Sequence, residues 1–297
     1  MQRNGKPSYR ASDAMTIVFC AFLIVLTAAY FPEIPASGPL LLIYLSLIVF
    51  QVIIVHISPL NSFLSYTRDI IFPVIAVVIL FDSLGLIVHA VNPRDIDYLL
   101  IQIDYLIFGL YPTVYLERFV HPVLTDILQI AYSTYYFLPV TLGVMLKRKG
   151  EQQALDRTLF TILLCFYLSY AGYLLFPALG PRYAMNHLHE QELGGFLFSE
   201  TIQNILNLLE GVKRDAFPSG HTAIALVVLY LSYRYARTVF RMLLVPVPLL
   251  VVATVYCRYH YVIDVIAGVI LAVVSVICAE VYYKFAAAGR TTSPGDR

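Results

Sequence analysis

The sequence predicts an all-α, polytopic membrane protein, a helical bundle of about eight transmembrane helices, and two observations carry that prediction. Hydrophobic residues make up 59% of the 297-residue chain against 13% charged, with a mean hydropathy of +0.75. Soluble domains carry about 25% charged residues, so this composition suits a bilayer. Apolar runs also recur along the chain, at residues 15–30, 40–57, 70–91, 122–146, 158–176, 222–235, 243–256 and 263–285. Most approach the roughly 20 residues that a helix needs to cross the hydrocarbon core.

The first run is followed by further runs and lacks a small-residue cleavage site, so a retained helix is expected rather than a signal peptide. Orientation follows from the basic residues of the short loops. Of the 20 Lys and Arg, only Arg94, Arg118, Arg182, Lys213, Arg214 and Arg258 fall on one side; the rest, from Arg3, Lys6 and Arg10 to Lys284, Arg290 and Arg297, fall on the other. Both termini are therefore expected inside. The net charge of +1 argues against a nucleic-acid partner. Cys20, Cys165, Cys257 and Cys278 lie in or beside apolar runs without paired spacing, and read as small core residues rather than disulfide partners or metal ligands.

Between the third and fourth runs, residues 98–115 are apolar but broken by Gln102, Asp104, Gly109 and Pro112, which predicts one or two short helices in the interface. Asp104 is expected as a solvated or capping residue rather than a headgroup ligand. The longest polar stretch, 177–217, opens with two prolines and a glycine that end the preceding helix. Its His187-Leu-His189-Glu190 reads as solvated loop, with no further ligand run to make a metal site. Tyrosines near span ends, such as Tyr30, Tyr136 and Tyr282, predict an aromatic belt in a chain with no tryptophan. Tyr167, Tyr170 and Tyr173 share a helix face and read as packing.

Two stretches carry chemistry. In Phe217-Pro-Ser-Gly-His-Thr222 a polar loop turns into an apolar run, with Ser219 as a strong N-cap. A helix N-terminus offers N–H groups and partial positive charge, Gly220 would let an anion approach, and His221 stands in the first turn. The bland reading is an ordinary N-cap with a chance histidine. In Tyr256-Cys-Arg-Tyr-His-Tyr-Val-Ile-Asp264, a helix would put His260 and Asp264 four apart on one face, so that the carboxylate holds one imidazole nitrogen and leaves the other exposed. The runs at 222–235 and 243–256 are short for a bilayer, which predicts that both histidines lie at the floor of a recess below the outer surface. Arg182, Ser219 to His221, Arg258, His260 and Asp264 would then share one side of the membrane, with no Asp and Glu cluster to hold magnesium.

These residues resemble the motifs of the type 2 phosphatidic acid phosphatase superfamily, whose members cleave or transfer phosphate esters through a phosphohistidine without a metal or other cofactor. By position Arg182 matches the arginine of the first motif, Ser219, Gly220 and His221 the second, and His260 and Asp264 the third. The chain departs from the pattern where Leu175 replaces a lysine, Tyr183 a proline and Thr254 an arginine, with Arg258 two residues before His260. Gly-Pro-Arg-Tyr and Arg-Tyr-His-Tyr are closer to the inositol phosphorylceramide synthase branch. The resemblance implies a six-helix core over 122–297 preceded by an N-terminal unit, 1–121, of two or three spans and the interfacial segment. It implies His260 as nucleophile, His221 as acid and base, Asp264 as orienter, and Arg182, Arg258, Ser219 and Gly220 as phosphate ligands. The expected substrate is a membrane lipid at the non-cytoplasmic face, its phospho-headgroup passing to a lipid or sugar alcohol, or to water in a phosphatase. A non-catalytic lipid binder or transporter instead predicts broken helices and polar residues at the membrane midplane.

Overall fold

A computed structural model describes residues 8–197, 202 and 212–291, with side chains described as far as residue 288. Arg3, Lys6, Arg297 and the loop stretches 198–201 and 203–211 lie outside it. Among the described residues every regular element is helical. The apolar runs become α1 (Ala11–Ala29), α2 (Ser37–Leu60), α3 (Ser62–Val91), α6 (Pro122–Arg148), α7 (Gln152–Leu175), α8 (Gly220–Tyr235), α9 (Arg237–Tyr256) and α10 (Val262–Thr291), with α4 (Asp97–Phe108) and α5 (Pro112–Phe119) between α3 and α6.

Seven of these helices are long and apolar enough to cross a membrane, and the α4–α5 pair, bent by 63°, makes an eighth if it is one broken span. The 16 residues of α8 give about 24 Å, short of the roughly 30 Å hydrocarbon core. One of the two short spans expected is corrected. The run at 243–256 continues back to Arg237, so α9 has 20 residues, with a break just before Pro246, which has no N–H for the helix ladder.

Helix α7 is the central post, with 72% of its apolar window buried, and it packs against α1, α3, α6, α8 and α10. Its tyrosine stripe is packing, as expected: the Tyr167 ring stacks on Phe19 at 4.5 Å and Tyr170 lies 5.7 Å from Phe81. In α6, Pro139 follows a stretch of 3-10 helix at Thr134–Phe137, a tightened turn that offsets the two halves of the helix.

One end of the bundle is held by charge. A π-helical turn at Thr67–Ile71 sets Arg68 and Asp69 into the protein, where both are buried. The Arg68 guanidinium pairs with Asp13, which also accepts from Gln51 Nε2 at 2.9 Å. Asp69 takes Arg10 at 2.5 Å and also Lys147. These pairs join α1, α2, α3 and α6.

Segment α4–α5 forms the two short helices expected, with Tyr98 and Leu106 among its exposed apolar residues. Its carboxylates turn inward. Asp104 caps α10, accepting from the N–H groups of Val262 and Ile263 at 2.9 Å each, which bears out the capping expectation. Asp97 accepts from the N–H groups of Leu179 and Gly180 and from the Tyr261 hydroxyl, all within 2.9 Å.

Candidate active site

The Pro-Ser-Gly-His stretch folds as the start of α8. The Ser219 hydroxyl oxygen accepts from the Thr222 N–H at 3.3 Å, so the N-cap reading holds. The close approach of α10 needs a glycine at Gly268, where a Cβ would meet the Ser219 carbonyl oxygen at 2.6 Å. Packing around the turn bears on two expectations. The Ser219 N–H donates to the Asp264 carbonyl at 3.0 Å, so it is committed to the fold rather than turned to an anion. At Gly220 a Cβ would lie 2.3 Å from the Tyr173 hydroxyl, so this glycine makes room for a tyrosine of α7.

The second stretch begins as α9 ends. The Thr254 carbonyl accepts from both Tyr259 and His260 N–H groups, at 3.0 and 2.9 Å, and the chain turns sharply. The turn puts Arg258 in the left-handed region, at φ 63°, a conformation that costs a residue with a Cβ about 1–2 kcal/mol. Three bonds hold it there: Arg258 Nη2 donates to Glu117 Oε1 at 2.8 Å and to the Gln191 carbonyl at 2.6 Å, and its own carbonyl accepts from Arg182 N–H at 2.9 Å. Arg258 therefore ties α5, the loop after α7 and the turn before α10 together. The helical placement of His260 is also corrected, since α10 starts only at Val262.

Tertiary packing brings His221 and His260 together, their rings tilted by 57° with centroids 5.7 Å apart and both residues buried. His260 Nδ1 lies 2.8 Å from the Ala216 carbonyl oxygen and 3.6 Å from Asp264 Oδ2. Asp264 is thus near the nitrogen expected, but the hydrogen bond goes to Ala216, while Asp264 Oδ2 accepts from the Tyr261 N–H at 2.8 Å. A carbonyl only accepts, so Nδ1 carries the proton and Nε2 keeps its lone pair. Among the described residues His260 Nε2 is buried with no hydrogen-bond partner. Burial lowers the His260 pKa to about 4 against the raising influence of Asp215 and of the Ala216 carbonyl, which keeps the ring neutral at pH 7.

His221 lies against two rings of α6, with centroids 4.4 Å from Tyr132 and 4.2 Å from Tyr135. Tyr259 stacks on the far face of this group, 4.3 Å from Tyr132, and the Arg182 guanidinium stands 5.8 Å from the Tyr259 ring centroid. Sequence reasoning missed Asp215, the Ala216 carbonyl, Glu117 and the tyrosine bed. Asp215 had a signal, standing four residues before Ser219; a carbonyl acceptor has none.

His221 and Asp215 close one end of a cavity of about 360 Å³ walled by α3, α6 and α7. The arrangement offers a neutral nitrogen nucleophile, a second imidazole within reach of the same group, and apolar space beside them. Among the described residues no three His, Cys, Asp or Glu side chains converge as a metal-ligating group.

The model of the PAP2 superfamily matches residues 105–278, more than half of the chain and the part that holds Arg182, His221, His260 and Asp264. The chain belongs to the PAP2 superfamily. As a PAP2 chain it carries α1, α2 and α3 ahead of the matched region, and these supply the ion-paired end and one wall of the cavity. It is also similar to a PA-phosphatase related-family protein of Dictyostelium discoideum, 25% identical over 173 residues, which cover 51% of this chain and 31% of that protein. The chain thus spans about a third of that relative's length. No solved structure matches.

Proposed function

We propose that this PAP2 protein cleaves a lipid phosphate ester through a phosphohistidine at His260. The reading is carried by one observation: His260 Nε2, its lone pair fixed by the Ala216 hydrogen bond, lies in a ring 5.7 Å from His221. Nε2 attacks phosphorus, the bond to the ester oxygen breaks, and His221 gives that oxygen its proton. His221 then takes a proton from the incoming hydroxyl, whose oxygen attacks phosphorus as the Nε2–P bond breaks. Asp264, 3.6 Å from Nδ1, offsets the charge that His260 gains. Arg182 and the start of α8 at Gly220 supply the positive field for the phosphate. Arg258 and Ser219 act one step back, by holding the turn and the N-cap.

The acceptor separates two versions. Transfer to a lipid or sugar alcohol at the non-cytoplasmic face follows the branch suggested by Gly-Pro-Arg-Tyr and Arg-Tyr-His-Tyr. Hydrolysis is favoured by the likeness to the Dictyostelium relative, a PA-phosphatase related-family protein. Purified protein incubated with labelled lipid phosphates and phosphoinositol lipids, with and without alcohol acceptors, decides. The reading expects an acid-labile, base-stable phosphoenzyme that His260→Ala abolishes. Turnover by His260→Ala equal to wild type overturns it, and free phosphate with no new phospholipid removes the transferase version.

A further inference from the structure

The cavity that ends at His221 and Asp215 extends between α3, α6 and α7 and is lined almost wholly by apolar side chains such as Val77, Val140, Ile162 and Phe166. Its volume is in the range of small-ligand sites. On α3 its lining includes Val74, Val78 and Asp82, which recur every four residues and so form one stripe. All three are exposed, Val74 at 40% and Val78 at 49%, so the space opens sideways along α3, toward the surface that a bilayer would cover. An apolar slot with a lateral opening and a histidine at its end has the form of a seat for a lipid chain whose phosphate lies at that histidine.

Asp82 does not fit a plain hydrocarbon slot. It sits at the middle of the apolar stretch Phe72–Val91, and among the described residues its carboxylate makes no hydrogen bond or ion pair. An acidic side chain within a membrane-spanning helix is costly to keep, by about 2.5 to 3.5 kcal/mol on insertion scales, and marks a functional position. Its neighbour Phe81 touches Tyr173, with ring centroids 6.5 Å apart, and the Tyr173 hydroxyl abuts Gly220, the residue before His221. Asp82 and His221 line the same cavity, so a lipid seated there with its phosphate at the histidine passes Asp82 along its length.

We propose, building on the phosphohistidine reading, that the slot holds the apolar chain of the lipid phosphate and that Asp82 selects lipids bearing a hydroxyl or amide N–H donor a few bonds from the phosphate. A carboxyl oxygen accepts that hydrogen bond; a bare alkyl phosphate has none to give and leaves Asp82 unpaired in the slot. Helix α3 lies outside the matched residues 105–278, so this selectivity belongs to the N-terminal addition of the chain.

The test reads binding, so it does not depend on turnover. Full-length protein in nanodiscs is photolabelled with N-acyl sphingosine 1-phosphate carrying a diazirine on its C16 acyl chain, and hexadecyl phosphate competes as the probe without a donor. Labelling is expected on α3 and α6 around Val78. Asp82→Leu is expected to weaken the sphingosine probe about tenfold or more, as for a hydrogen bond to a charged group, and to leave competition by hexadecyl phosphate within about twofold. Val78→Trp, a substitution at an exposed position, is expected to weaken both probes by filling the slot. Labelling elsewhere, or equal effects of Asp82→Leu on both probes, or none on either, overturns the proposal. His260→Ala is expected to bind like wild type, and if that variant also keeps its turnover, the phosphohistidine reading fails while the labelling result stands.

Discussion

The two ends of the bundle both bury polar groups, and they treat them in opposite ways. At the ion-paired end Asp13 is shared by Arg68 and Gln51, and Asp69 by Arg10 and Lys147; Arg68 also reaches the Ser58 hydroxyl and the Ser8 carbonyl. At the histidine end His260 Nε2 and Asp264 Oδ1 are buried with no hydrogen-bond partner among the described residues. Unpaired buried polar atoms are costly and rare in native proteins. Satisfied groups hold four helices in register; an unsatisfied lone pair keeps its reactivity. The contrast sets the part of this chain that ties helices together against the part where the proposed reaction would take place.

The largest test of the contrast is His260→Ala. Turnover is expected to fall on the order of 10⁴-fold or more, as when a covalent nucleophile is removed, with thermal stability in detergent kept or raised because a buried ring nitrogen without a partner has gone. A matching loss of stability and activity would put His260 with the structural residues instead.

Asp13→Ala is the mirror experiment. It leaves the buried Arg68 guanidinium without its carboxylate, which typically costs about 3–5 kcal/mol. Denaturation in detergent is expected to show that loss while kcat of the surviving folded protein stays near wild type. A fall in kcat without a loss of stability would couple the two ends and break the comparison.

Acid sharpens it further. Folded His260 titrates near 4, whereas the unfolded ring takes its proton near its ordinary 6.5. Its contribution is therefore fully present above pH 6.5 and is lost as pH falls towards 4, by about 3 kcal/mol in all at 1.36 kcal/mol per unit. Denaturation curves of wild type and His260→Gln at pH 6.5 and pH 4.5 are expected to diverge, the variant losing less. Parallel curves would mean that His260 is not held neutral by burial.

The smallest effect expected is at the start of α10, beside the histidines. Asp104→Ala removes the cap from α10 and is expected to cost about 1–2 kcal/mol, with a modest fall in activity because Tyr261 and Asp264 flank the capped turn. Unchanged stability would mean that the cap at Asp104 adds nothing to holding α10.

Composition and periodicity by themselves determined that this chain is a helical membrane bundle, because a solvent without hydrogen-bonding groups forces its backbone into helices whose apolar runs can be counted. The N-cap at Ser219 and the capping role of Asp104 were also legible, since each rests on local chemistry. Tertiary structure alone decided how far apart the histidines stand, that a backbone carbonyl at Ala216 orients His260 more closely than Asp264 does, that Glu117 takes Arg258, and that Tyr173 fills the space beside Gly220. The Ala216–His260 and Glu117–Arg258 pairings join residues 44 and 141 positions apart in the chain, and no local pattern encodes a partner that only packing supplies. The length of α9 misled for the same reason: a proline marks where a helix loses one bond, while its neighbours decide whether the helix goes on.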